Sequence, residues 1–140
     1  MRSIERDTTQ NISATLSSYF RERDDISLVI LYGSAASGQL TGESDIDVAV
    51  AGDASLSPDT RSQLYFELSE LLRRNVDICD IRGKKGLFLT QVLTKGKVLI
   101  NRKPELLAQL IINMLDFQED MLPNVRMIML QHARDFIHGS

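Results

Sequence analysis

The chain has 140 residues, a formal net charge of −3 and a sequence pI near 5.3, with 43% hydrophobic and 25% charged residues. That length suffices for a single domain over residues 1–140, the composition is that of a globular protein rather than a disordered one, and the acidic balance argues against nucleic acid as the partner. The longest apolar run is far short of the ~20 residues of a membrane span, and the N-terminal MRSIERDTTQ has no apolar signal core, so no membrane association and a cytoplasmic location are expected.

From Asp7 to Arg23, Ile12, Leu16, Tyr19 and Phe20 recur at helical spacing, with Asp7 or Thr8 available as a cap. ISLVILY, from Ile26 to Tyr32, is a nearly continuous aliphatic run of the kind found in a strand buried on both faces. It delivers the chain to Gly33 and Ser34, a turn into a short helix or loop. A second strand then carries Asp45 and Asp47 and ends near Ala51 and Gly52.

SLSPDT supplies turn and cap residues, with Pro58 suited to a first helical turn. A second helix follows, with Leu64, Phe66, Leu68, Leu71 and Leu72 as its apolar positions, reaching Arg74. VDICDI is a third strand, Leu87 to Thr94 a short helix, and KVLINR a strand or extended arm. Pro104 opens a long C-terminal helical region, about 104–137, expected to bend or break at Pro123, which lacks an amide donor. The apolar residues between Val125 and Ile137 suit a protein interface as well as packing onto the domain. The single cysteine, Cys79, cannot form an internal disulfide and reads as a buried, inert thiol. The predicted fold is α/β: a small mixed sheet of about four strands, helices mainly on one side, and a site at strand ends.

Asp45 and Asp47 have the same parity on a strand and so project from one face. Paired carboxylates suit Mg²⁺, which takes oxygen ligands and leaves room for waters and substrate phosphates; two such ions about 3.5–4 Å apart can clamp the attacking and leaving oxygens of phosphoryl transfer. Gly33 can adopt backbone geometry closed to other residues, and a turn leading into a helix offers free amides to phosphate, with the Ser34 hydroxyl as a further donor. A third acid comes from the next strand. Asp77 and Asp80 are of opposite parity, and Asp77, between Val76 and Ile78, is the better candidate to join the pair and accept a proton from an attacking hydroxyl.

Gly33-Ser34, ten residues, Asp45-Ile46-Asp47 and then Val76-Asp77-Ile78 resemble the signature of the polymerase β-like nucleotidyltransferase superfamily, and the chain's size and layout resemble its minimal nucleotidyltransferases, the MNT proteins. The resemblance implies a nucleotidyltransferase fold, a triphosphate held by Gly33 and Ser34, two Mg²⁺ ions bound by Asp45 and Asp47, and Asp77 completing the metal site and activating the acceptor. It further implies an antitoxin that pairs in a hetero-oligomer with a cognate HEPN ribonuclease toxin and transfers AMP from ATP to a toxin hydroxyl, a tyrosine in some such systems. Two other readings stand beside this one: an antitoxin that acts by occlusion alone, and a transferase for a small molecule or an RNA 3′ end. One departure is notable. Ala35 and Ala36 occupy positions where many relatives carry an arginine, leaving Arg82, Lys84 and Lys85 as the nearest cations in sequence to meet phosphate charge.

Overall fold

The computed structural model describes residues 2–42, 44–119 and 130–135. Four strands, β1 (Ile26–Tyr32), β2 (Ile46–Gly52), β3 (Val76–Asp80) and β4 (Lys97–Asn101), form one sheet in the order β3-β2-β1-β4. β1 runs antiparallel to both β2 and β4, and β2 runs parallel to β3, so the sheet is mixed as expected.

The central β1 is buried along its length because both faces of the sheet are covered, a correction to the expectation of helices mainly on one side. On one face, Ile12, Leu16 and Phe20 of α1 (Arg2–Arg21) and Leu64 and Leu68 of α3 (Pro58–Leu72) pack on Val29, Leu31, Val48 and Ile78. On the other, α4 (Gly86–Lys95) and α5 (Pro104–Glu119) set Leu89, Val92, Leu107 and Met114 against Leu28, Ile30, Ala49 and Ala51. The alternation of β1 therefore feeds two cores, as a nearly continuous apolar run, interrupted by the buried Ser27, allows.

Local chemistry sets the helix ends. α1 starts at Arg2, so Asp7 and Thr8 lie inside it rather than capping it; the sequence from Met1 to Arg23 has no glycine or proline to stop it. At its other end the Arg102 guanidinium donates to the carbonyls of Phe20, Arg21, Arg23 and Ile26, placing positive charge where a helix dipole is negative. Ser57 caps α3 by accepting from the Thr60 amide, with Pro58 following it. Phe66 and Leu71, predicted to share the apolar face of that helix, point to solvent instead, 69% and 54% exposed.

The C-terminal region begins at Pro104 as expected, and residues 130–135 are helical, with Leu130 exposed and Ala133 buried. Pro123, and with it the predicted bend, lies outside the described residues, as does most of the predicted interface between Val125 and Ile137. Among the described residues, no helix is long and apolar enough to cross a membrane.

Candidate active site

β1 ends where β2 and β3 begin, and that end of the sheet gathers every predicted site residue. Asp47 is the focus. It sits opposite Tyr32 in the antiparallel register with β1 and opposite Asp77 in the parallel register with β3. Asp45 lies two residues before it, just ahead of the strand.

Gly33 follows Tyr32 with φ 72° and ψ −151°, and a Cβ there would overlap a carboxylate oxygen of Asp47 and lie 3.2 Å from its Cγ. Only glycine fits this position, for space and for backbone conformation alike. The turn enters α2 (Ser34–Ser37), whose Ala36 and Ser37 amides return to the Gly33 carbonyl at 3.2 and 3.1 Å. The amides of Ser34 and Ala35 precede the first intrahelical bonds and are the ones such a turn offers to an anion. Ala35 itself is buried in the core, so the missing arginine leaves no gap in the packing.

Burial first, then the charges of Asp77 and Asp45, raise the Asp47 carboxyl above the ordinary carboxylate value. The ionised form is disfavoured there until positive charge arrives. The three acids are hard oxygen donors of the kind Mg²⁺ takes. They are not drawn into a ready cluster: among the described residues, no three histidine, cysteine, aspartate or glutamate side chains are grouped closely enough to hold a metal ion, as mutual repulsion of like charges favours. Asp45 also borders a separate cleft of about 440 Å³ with Ser69, Arg73 and Asn75.

Of the two candidates for third acid, Asp77 is the one in register with Asp47. Asp80 is buried and committed, accepting from the amides of Leu56 at 2.8 Å and Arg82 at 3.0 Å. The cations sort as clearly. Arg82 donates twice to the Gly52 carbonyl and serves the fold, which removes it from the phosphate candidates. Lys85 is the exposed residue just ahead of α4. Lys84 lines a cleft of about 380 Å³ beside Asp77.

That cleft holds residues the sequence did not single out. Tyr32 meets Phe88 edge-on, ring centroids 5.7 Å apart, and Arg61 reaches in from α3. Burial, together with the charges of Cys79, Asp47 and Asp77, pushes the Tyr32 hydroxyl well above its usual range, so it stays protonated. Cys79 is half-buried and lines the cleft rather than lying in the core as predicted. Burial raises its thiol pKa above the ordinary value, against the opposing pull of Lys84. Alternating polar and apolar residues in VDICD carry the signal for the acid face of β3. Nothing local announces Arg61 or Phe88.

The family described as polymerase beta, nucleotidyltransferase matches residues 14–105, more than half of the chain, from within α1 to the start of α5. The chain belongs to this family. Among its relatives, protein adenylyltransferase MntA of Shewanella oneidensis is 35% identical over 74 residues, and the match spans about half of either protein, 53% of each. A crystal structure of a toxin–antitoxin with AMP-PNP contains a chain that superposes with a TM-score of 0.65 at 25% identity, covering 84% of this chain and 98% of that one. A complex of tri-AMPylated Shewanella oneidensis HEPN toxin with MNT antitoxin gives 0.60 at 23% identity, over 86% and 98% of the two chains, a likeness of fold.

Proposed function

We propose that this nucleotidyltransferase is an antitoxin that transfers AMP from ATP to a hydroxyl, a tyrosine in the simplest case, of a cognate HEPN-domain toxin with which it forms a hetero-oligomer. The observation that carries the reading is the meeting of the Gly33 turn, Asp47 and Asp77 at one end of the sheet, in a chain of this family. The MntA relative is a protein adenylyltransferase by name, and the AMP-PNP complex supports ATP as the nucleotide.

In this reading the amides of the Gly33–Ser34 turn and the Ser34 hydroxyl receive the triphosphate. Asp45 and Asp47, with Asp77, would hold two Mg²⁺ ions, which when bound neutralise phosphate charge and orient the reacting oxygens. Asp77 accepts the proton of the acceptor hydroxyl, whose oxygen bonds to the α-phosphorus. The bond from that phosphorus to the bridging oxygen breaks, and pyrophosphate leaves with the electron pair. Positioning and charge complementarity carry most of such a reaction, and no covalent enzyme intermediate is needed.

The second reading is inhibition by binding alone, with no chemistry at the acids. One experiment separates them: incubate the chain with the product of the adjacent gene and Mg-ATP, then weigh the partner by mass spectrometry. Added mass in units of AMP is the expected result; inhibition of the partner at unchanged mass would establish occlusion instead.

A further inference from the structure

We propose that the groove between the outer sides of α1 and α3 is the docking surface for the protein partner, and that it receives a helix whose apolar stripe is edged by lysine or arginine. The inference rests on the hetero-oligomer reading above and names the surface that such a complex uses.

α1 and α3 cover one face of the sheet with Leu16, Phe20, Leu64 and Leu68, which leaves their outer sides to solvent. There Tyr19, Phe66, Glu67, Glu70 and Leu71 line a cleft of about 420 Å³. A second cleft, of about 450 Å³, shares Tyr19 and Leu71 and continues along α1 past Ala14, Thr15 and Ser18. The floor is fixed before any partner arrives. Tyr19 meets Phe20 edge-on, ring centroids 5.1 Å apart, and its hydroxyl donates to Glu67, which Arg23 approaches at 3.8 Å. Phe66 and Leu71 stand open on the α3 side, an apolar pair of the kind that marks an interaction surface. On the α1 side the small Ala14, Thr15 and Ser18 let a third helix approach closely, and a groove between two helices suits such an occupant.

Charge selects the occupant. The first cleft is lined by two acids and no base. Glu67 is engaged by Tyr19 and Arg23, whereas Glu70, one turn on from Phe66, makes no hydrogen bond or ion pair among the described residues. A lysine or arginine beside the partner's apolar stripe meets that acid. A second copy of the chain is a poor occupant, because an isologous pairing sets Glu67 and Glu70 against their own equivalents. The helical residues 130–135 of this chain lie on the opposite face of the sheet, with Ala133 in its core. Ser69 and Arg73, next to Glu70 on α3, line the cleft at Asp45. A partner seated in the groove is therefore held beside the acids, where the hydroxyl it carries has to arrive.

The affinity of the full chain for the purified product of the adjacent gene, measured by calorimetry without ATP, tests this. Phe66→Ser with Leu71→Ser should weaken it by at least about tenfold and Glu70→Lys by about fivefold. Ile112→Ser, which removes an exposed apolar residue from α5 on the opposite face, should leave it within about twofold. Because all four side chains are exposed, every variant should unfold at the parent's midpoint and keep the parent's Mg-ATP affinity. Rising salt should weaken the parent more steeply than Glu70→Lys. Unchanged affinity in the Phe66 and Leu71 double variant, an equal loss in Ile112→Ser, or no binding by the parent overturns the docking site. Unchanged or tighter binding by Glu70→Lys overturns the basic occupant. A parent dimer in ultracentrifugation that the double variant abolishes would give the groove to a second copy instead. AMP transfer to the partner with variant affinities unaltered refutes the docking site and leaves the transferase standing; groove-dependent binding with no AMP added does the reverse.

Discussion

The alpha carbon of Gly33 is pressed against the carboxylate of Asp47: a single added methyl group would overlap one of its oxygens. The turn that offers amides to phosphate and the acid placed to meet the reacting phosphorus are thus one packed unit, held by the antiparallel pairing of Tyr32 with Asp47.

Gly33→Ala should therefore damage both stability and activity. The positive φ and the overlap together should cost of order 1–3 kcal/mol in denaturant unfolding. AMP transfer should fall at least tenfold, measured at a temperature where the variant is fully folded, because relief of the overlap must move Asp47. Unchanged transfer would show that the contact does not matter to the site.

Asp47 also carries a pH signature. Its folded pKa is raised above the ordinary carboxylate value, by burial first and by Asp77 and Asp45 next. The folded chain thus binds this proton more tightly than the unfolded chain does, so ionising Asp47 lowers stability as pH rises through the interval between the two values. In chelator-containing buffer at neutral pH, Asp47→Asn should unfold at a higher temperature than the parent, and the gap should close as pH falls through the carboxylate range. A gap that widens on acidification would mean that the repulsion is absent.

Arg74 holds the approach to Asp45. Its guanidinium donates to the carbonyls of Thr41 at 2.7 Å and Ser44 at 3.2 Å, clasping a turn in which Thr41 and Ser44 also bond side chain to side chain. Arg74→Gln should cost about 1 kcal/mol, the net worth of such bonds at a partly exposed site, and should speed amide exchange at Thr41 and Ser44. Transfer should slow more than ATP affinity weakens, since the loss falls on acid placement.

Much of this was legible in the sequence because the signals are local. The run from Ile26 to Tyr32, the glycine after it, the acids at positions 45 and 47 and the parity argument for Asp77 over Asp80 each depend on a few consecutive residues; β2 begins only at Ile46, so Asp45 stands just ahead of it, and the register of β2 with β3 sets Asp77 opposite Asp47. The burial of β1 on both faces was legible as well, and the expectation of helices mainly on one side was at odds with it. What stayed hidden depends on distant parts of the chain. Arg82 reads as a loop cation and turns out to bind the Gly52 carbonyl across the fold; Phe66 and Leu71 fit a helical apolar pattern but the sheet presents no surface to them. Arg61 and Phe88 reach the site only because α3 and α4 flank the same sheet end from opposite faces.

The most direct measurement is transfer of label from α-labelled ATP to the cognate partner by the wild-type chain and by the Asp45→Asn, Asp47→Asn double variant, with circular dichroism confirming that both are folded. The wild-type chain should label the partner and the double variant should leave it unlabelled while still binding it. Undiminished labelling by the folded double variant would contradict the assignment of the site.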